Sequence, residues 1–266
     1  MKIESVDFFY LSMPEVLDIG DGSQDALLVR ISAGGLEGWG ECEASPLTSI
    51  ASYVCPMSHS ACKPLKYALE GKKINSVEDI YRISADVHIN SMDLLQANHT
   101  LSGIDIALWD ILGKKINEPV YKLLGYNKAY PKLPYASHLF GDTPEETFKK
   151  AKNAAASAFK AVKFGWGPFG KKDLKSDIAH LLAAREGVGE SIHLMIDAGA
   201  AWNDNFANAK KRLIPLNKIN AYWLEEPFVN GALSDYKRLS KSDPKVDLAG
   251  GEGCNNFVQA QAMIHY

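Results

Sequence analysis

From about residue 130 onward the chain repeats one unit, a short apolar run, then a loop, then an amphipathic stretch. The apolar runs are Leu133–Phe140, Ala161–Phe164, His193–Ile196, Ala221–Leu224 and Val246–Ala249. Between them the spacing predicts helices over Glu145–Ala158, Leu174–Arg185, Asn205–Leu213 and Leu233–Leu239, with a last one from Asn256 to Tyr266. Thr143-Pro-Glu-Glu is a strong helix start, because threonine caps and proline suits the first turn. Strand–helix units of this kind build parallel sheets through right-handed crossovers. A doubly wound sheet and a (β/α)₈ barrel both satisfy the repeat.

The first 125 residues have another order. Residues 2–12 alternate as a strand, and Leu27–Ser32 with Gly38–Glu43 form a predicted hairpin around Ala33-Gly34-Gly35. A Pro- and Gly-punctuated loop, Pro14–Asp25, separates the first two strands. Later, Ile104, Ala107, Leu108 and Ile111 recur at helical spacing in 101–112, and a short helix, Val120–Leu124, follows Pro119 and stops at Gly125. Strands first and helices afterwards imply a small α+β domain. The expected division is 1–125 and 126–266.

Three acids close apolar runs at their C-terminal ends. HLMI ends in Asp197, YWL in Glu225-Glu226, and LAGG in Glu252. The carboxyl ends of parallel strands are where α/β proteins place their sites. The intervals are 225 − 197 = 28 and 252 − 225 = 27 residues, so the acids come from consecutive units. Neighbouring strands lie about 4.8 Å apart, and three carboxylates so placed would repel one another unless a cation neutralised them. Three oxygen donors with remaining positions for water or substrate suit Mg²⁺. Taken singly, each acid is as well read as a helix cap or an ion-pair partner.

The rest excludes more than it assigns. A net charge of −3 with lysines interleaved among acids is not the footprint of a nucleic-acid binder. No apolar run approaches the roughly 20 residues of a membrane span, and the N-terminus is not a signal peptide. Cys42, Cys55, Cys62 and Cys254 lack paired spacing and read as free thiols of a cytoplasmic protein. Cys55, His59 and Cys62 offer three soft ligands without a fourth, so loop or core placement is expected there.

The motifs MIDAGAAW, YWLEEPF and LAGGEG, in this order and spacing, resemble the mandelate racemase/muconate-lactonizing branch of the enolase superfamily. LSGIDIALWDILGKKINEPVYKLLG is similar to the last helices of that family's capping domain, and FKAVKFGWGPFG to its second barrel strand. The resemblance implies an α+β capping domain followed by a (β/α) barrel. It implies Mg²⁺ held by Asp197, Glu225 and Glu252, with Glu226 in a supporting place. It also implies abstraction of the proton α to a carboxylate through an enediolate, acting on a small-molecule carboxylate such as a sugar acid, in a homo-oligomer. That superfamily pairs a Lys or His base with Mg²⁺.

Where the family's second strand carries Lys-x-Lys, this chain reads Lys163-Phe164-Gly165. By that resemblance Lys163 is a catalytic residue in the place of the first lysine, expected to contact the substrate carboxylate or the enediolate, and the second lysine, often the base, is absent. Lys160 has the wrong strand parity and is expected to face solvent. Two-base racemisation is therefore disfavoured and dehydration favoured, with racemase, epimerase or cycloisomerase chemistry as the alternative. His138 and Trp166 are candidate substrate contacts. A full barrel takes about 250 residues, but only about 140 follow the capping domain, enough for five βα units. The expectation is a truncated copy of a longer enzyme, lacking the strands on which relatives carry a His–Asp pair. The competing expectation is a shortened, non-catalytic paralogue that binds metal or a partner.

Overall fold

The computed structural model describes residues 1–18, 23–42, 45–242 and 245–265. Glu43 of the predicted hairpin, residues 19–22 of the Pro14–Asp25 loop and Tyr266 lie outside them. Two compact units divide at Met1–Tyr130 and Pro131–Tyr266.

The first unit opens with β1 (Ile3–Leu11), β2 (Ala26–Ala33) and β3 (Leu36–Cys42), an antiparallel sheet in the order β1-β2-β3. Strand β2 alternates strictly, with Leu27, Val29, Ile31 and Ala33 buried. The β2–β3 turn uses Gly34 and Gly35 at φ 58° and 76°, a region that costs glycine nothing. Helices α1 (Pro46–Val54), α2 (Lys66–Leu69), α3 (Val77–Asn90), α4 (Ala97–Ile116) and α5 (Val120–Leu123) follow. In α4 the predicted stripe of Ile104, Ala107, Leu108 and Ile111 is fully buried. The helix runs one turn further than expected at each end and stops at Asn117 in the left-handed region. Its backbone lies directly against β3. A Cβ on Gly40 would sit 2.0 Å from the Gly103 carbonyl oxygen, and one on Gly103 2.4 Å from Cys42 Sγ.

The second unit alternates throughout. It contains β4 (Ala136–Leu139), α6 (Pro144–Ala155), β5 (Ala161–Gly165), α7 (Leu174–Val188), β6 (His193–Asp197) and α8 (Phe206–Lys218). Then come β7 (Ala221–Glu225), α9 (Leu233–Ser240), β8 (Asp247–Ala249) and α10 (Phe257–His265). Strand β4 is shorter than predicted, since Pro134 cannot donate to a ladder and the pairing begins after it. The five strands are parallel and ordered β4-β5-β6-β7-β8, each beside its sequence neighbour. A doubly wound sheet reverses its order at a switch point, and no reversal occurs here.

Val162, Phe164, Leu194, Ile196 and Leu224 turn one face of this sheet towards the helices. They meet Ala151 of α6, Leu181 and Ala184 of α7, Leu213 and Leu216 of α8 and Leu239 of α9. Capping side chains fix three helix starts. Thr143, Asp173 and Asn205 each accept a hydrogen bond from the backbone N–H three residues on. Among the described residues no helix is long and apolar enough to cross a membrane.

Candidate metal centre

Strand register decides which side chains share the sheet's other face. Gly165 pairs with Asp197, Asp197 with Glu225, and Glu225 with Ala249. Lys163 lies two residues before Gly165 and so projects to the same side. There the Lys163 ammonium meets both acids, 3.0 Å from Asp197 Oδ2 and 2.7 Å from Glu225 Oε1. All three side chains are at most 13% exposed. The second oxygen of each acid is also held, since Gly199 N–H donates to Asp197 Oδ1 at 2.9 Å and Trp223 Nε1–H to Glu225 Oε2 at 3.0 Å. Tyr135 stands edge-on to Trp223 with its ring 5.6 Å from Lys163 Nζ. Burial works against the Lys163 charge, but the two carboxylates outweigh it and hold the ammonium above the usual lysine range.

Glu252 stands apart. Strand β8 ends at Ala249 and the chain turns through Gly251 at φ 111°, leaving Glu252 in an exposed loop. Among the described residues no set of three acids, histidines or cysteines is gathered closely enough to enclose an ion. The structure thus brings Asp197 and Glu225 together on one cation, while Glu252 lies in the loop beyond Gly251. Its charge still feels theirs. Desolvation first, then the charges of Asp197, Glu226 and Glu225, push the Glu252 carboxyl above the usual carboxylate range.

Glu226 faces the neighbouring loop. Its backbone is left-handed at φ 44° and its side chain is buried. Oε1 accepts from Gly251 N–H at 2.7 Å and Oε2 from the Tyr236 hydroxyl at 3.3 Å, tying the β7 loop to the one that carries Glu252.

Two further candidates diverge. His138 pairs in register with Phe164, and their rings lie 5.7 Å apart on the helix-facing side. The strand parity turns the His138 ring away from Asp197 and Glu225. Burial, then Lys150, holds its pKa below the ordinary histidine value. Trp166 sits at the carboxyl end of β5, half-buried, over Gly199. Lys160 is exposed, as expected from its parity. At Gly165 a Cβ would lie 2.7 Å from Asp197 Cβ and 3.2 Å from its carboxyl carbon, so no side chain fits there with Asp197 in place. Trp223 was findable from period two, two residues before Glu225 on one strand; Tyr135 has no signal short of the register.

An all-parallel sheet in sequential order thus presents Asp197 and Glu225 around the Lys163 ammonium at its carboxyl edge, where α/β proteins place their sites. Residues 12–125 match the mandelate racemase/muconate lactonizing enzyme N-terminal domain, and 146–266 match the enolase C-terminal domain-like family. The chain belongs to the mandelate racemase/muconate-lactonizing branch of the enolase superfamily.

It is 33% identical to a 3,6-anhydro-alpha-L-galactonate cycloisomerase of Streptomyces coelicolor, over 60% of this chain and 43% of that one. It is 28% identical to an N-succinyl-L-Arg/Lys racemase of Bacillus cereus, over 93% and 64%. It is 32% identical to an arabinonate dehydratase of Saccharolobus solfataricus, over 57% and 40%. The matches thus span less than two thirds of each of these relatives. A solved structure described as a predicted mandelate racemase from Rhodobacter sphaeroides superposes with a TM-score of 0.94 at 51% identity, covering all of this chain and 68% of that one. A racemase from Streptomyces coelicolor with bound magnesium gives 0.80 at 25% identity, over 98% and 72%.

Asp197 and Glu225 offer carboxylate oxygens, the donor type that hard divalent cations take. Oδ2 of Asp197 and Oε1 of Glu225 already share one positive centre, and both are hard oxygens.

Proposed function

We propose that this chain carries the metal-binding and substrate-orienting part of an Mg²⁺-dependent lyase that removes the proton α to a carboxylate and dehydrates a sugar acid. The observation that carries this is the meeting of Asp197 and Glu225, from consecutive strand ends, on one cation position. In this reading the five strands are part of a (β/α)₈ barrel, and Asp197, Glu225 and Glu252 hold the ion, with Glu252 moving in from its loop. When bound, Mg²⁺ supplies Lewis-acid stabilisation of charge developing on the substrate carboxylate.

The protein's own residues do the rest. Drawing Asp197 and Glu225 away from Lys163 frees a charged donor beside the site, which binds and orients the substrate carboxylate. In this role Lys163 acts as a hydrogen-bond donor to the substrate. Gly165 offers no base on the strand where one would stand. The base is thus a residue outside this cluster, acting from one side only. As it takes the α proton, the C–H electron pair becomes the new C=C bond. The β C–O bond breaks, the hydroxyl leaves as water with the proton the base has just taken, and the enol left behind tautomerises to the 2-keto acid. Trp166 borders the approach.

Racemisation is the second reading, favoured by the racemase relative matching 93% of this chain. It requires a second opposed base, which Gly165 denies on this side. Incubation with a panel of sugar acids and N-acyl amino acids in deuterated buffer separates the two. Mg²⁺-dependent keto-acid formation from a sugar acid is the expected result. Deuterium uptake with inversion and no keto acid would replace the dehydratase reading with the racemase one.

A further inference from the structure

Backbone strain concentrates where β5 and β6 end. Trp166 has φ 57°, a left-handed conformation that is an outlier for a bulky residue. Ala200 shares that region at 57°, and Gly167 and Gly199, for which it carries no strain, lie there at 62° and 52°. Such strain persists only where the surroundings over-determine it. The surroundings here are specific. The Trp166 indole lies flat on Gly199, so that a Cβ there would come within 2.9 Å of Cε2, 3.1 Å of Cδ2 and 3.2 Å of Cζ2.

Gly199 is also the residue whose N–H holds Asp197 Oδ1 at 2.9 Å, leaving Oδ2 for the cation position. The rest of that turn is anchored from the far side, Ala198 N–H to the Glu225 carbonyl at 2.8 Å and Ala200 N–H to the Glu226 carbonyl at 2.7 Å.

We propose that Trp166 is a positioning residue for Asp197: its ring clamps Gly199, whose N–H fixes one carboxylate oxygen and turns the other towards the cation. The contacts form one chain, from a strained strand end, through a ring on a glycine, to a hydrogen bond on a carboxylate. It also accounts for Gly165, the residue before the clamp, where any side chain would collide with the carboxylate being held. The role rests on the metal-site reading for its purpose, though the clamp itself does not need the ion.

The test uses Trp166→Gly, which accommodates the left-handed backbone and removes the ring, beside Trp166→Phe, which keeps a flat ring. Amide hydrogen exchange of the 197–201 segment is measured without metal, and Mg²⁺ alone is titrated calorimetrically. Trp166→Gly is expected to exchange the Gly199 amide at least about tenfold faster and to weaken the Mg²⁺ Kd by a similar factor, the equivalent of ~1.4 kcal/mol. Its melting temperature should change little, since relief of strain offsets lost packing. Trp166→Phe should stay near wild type in both. Unchanged exchange at Gly199 in Trp166→Gly would overturn the clamp. Faster exchange with an unchanged Mg²⁺ Kd would overturn its role towards Asp197. Absence of Mg²⁺ binding by the wild type would sink the metal reading, leaving the exchange result to decide the clamp. Should Trp166→Gly not fold, Gly199→Ala, which drives a Cβ into the indole, is read by the same two measurements with the same expected directions.

Discussion

Lys163 is the residue on which the metal-free site depends. Its ammonium is the counter-ion of two buried carboxylates, and removing one partner of a buried pair costs roughly 3–5 kcal/mol. Lys163→Met should therefore lower the melting temperature of the metal-free protein. Mg²⁺ should then raise it more than in the wild type, because no ammonium competes for the acids. Equal Mg²⁺ responses in variant and wild type would count against a shared position. The sign of the pH effect follows from the raised affinity for the proton. This contribution is complete at neutral pH and fades only as the pH climbs through and above the usual lysine range. The acids themselves were legible because each ends an apolar run. The face that His138 takes was not, since LPYASHLF reads equally in either parity until Pro134 sets where pairing begins. Nor does the sequence reveal that Gly165 lies against Asp197, an approach made between residues on different strands.

Among the elements, two contacts make definite predictions. Helix α4 can lie on β3 only because Gly40 and Gly103 face each other without side chains. Gly40→Ala should destabilise the first unit by about 3 kcal/mol, the upper end of overpacking costs, read as a lower urea midpoint. A change within ~0.5 kcal/mol would mean that the helix shifts freely. Between α6 and α7, Gly141 N–H donates to Thr147 Oγ1 at 3.0 Å, and that hydroxyl lies 2.9 Å from His180 Nδ1. Burial is the main cause of a lowered His180 pKa; Asp177 opposes it and Lys172 adds to it. The unfolded chain then binds the proton more readily than the folded one. Stability should fall as pH drops below about 6.5, and His180→Asn should flatten that part of the denaturation profile against pH. The βα units were readable because every helix follows a strand at a steady interval. Helix α1 went unread for a physical reason, since its buried face is Ser49, Ser52 and Tyr53 rather than an apolar stripe.

For the molecule as a whole, family membership and the sequential parallel sheet agree with the expected capping domain and βα unit series. The closeness of the three acids does not follow in full, because strand order brings Asp197 and Glu225 together while Glu252 lies in the loop beyond Gly251. Thermal unfolding of the whole chain against Mg²⁺ concentration tests whether these acids bind the ion. A ligand at about 100 times its Kd stabilises the folded state by ~2.7 kcal/mol. The expected result is a saturable rise in melting temperature that disappears in Asp197→Asn and Glu225→Gln and is weakened in Glu252→Gln. No rise in the wild type, or the same rise in all three variants, would contradict it.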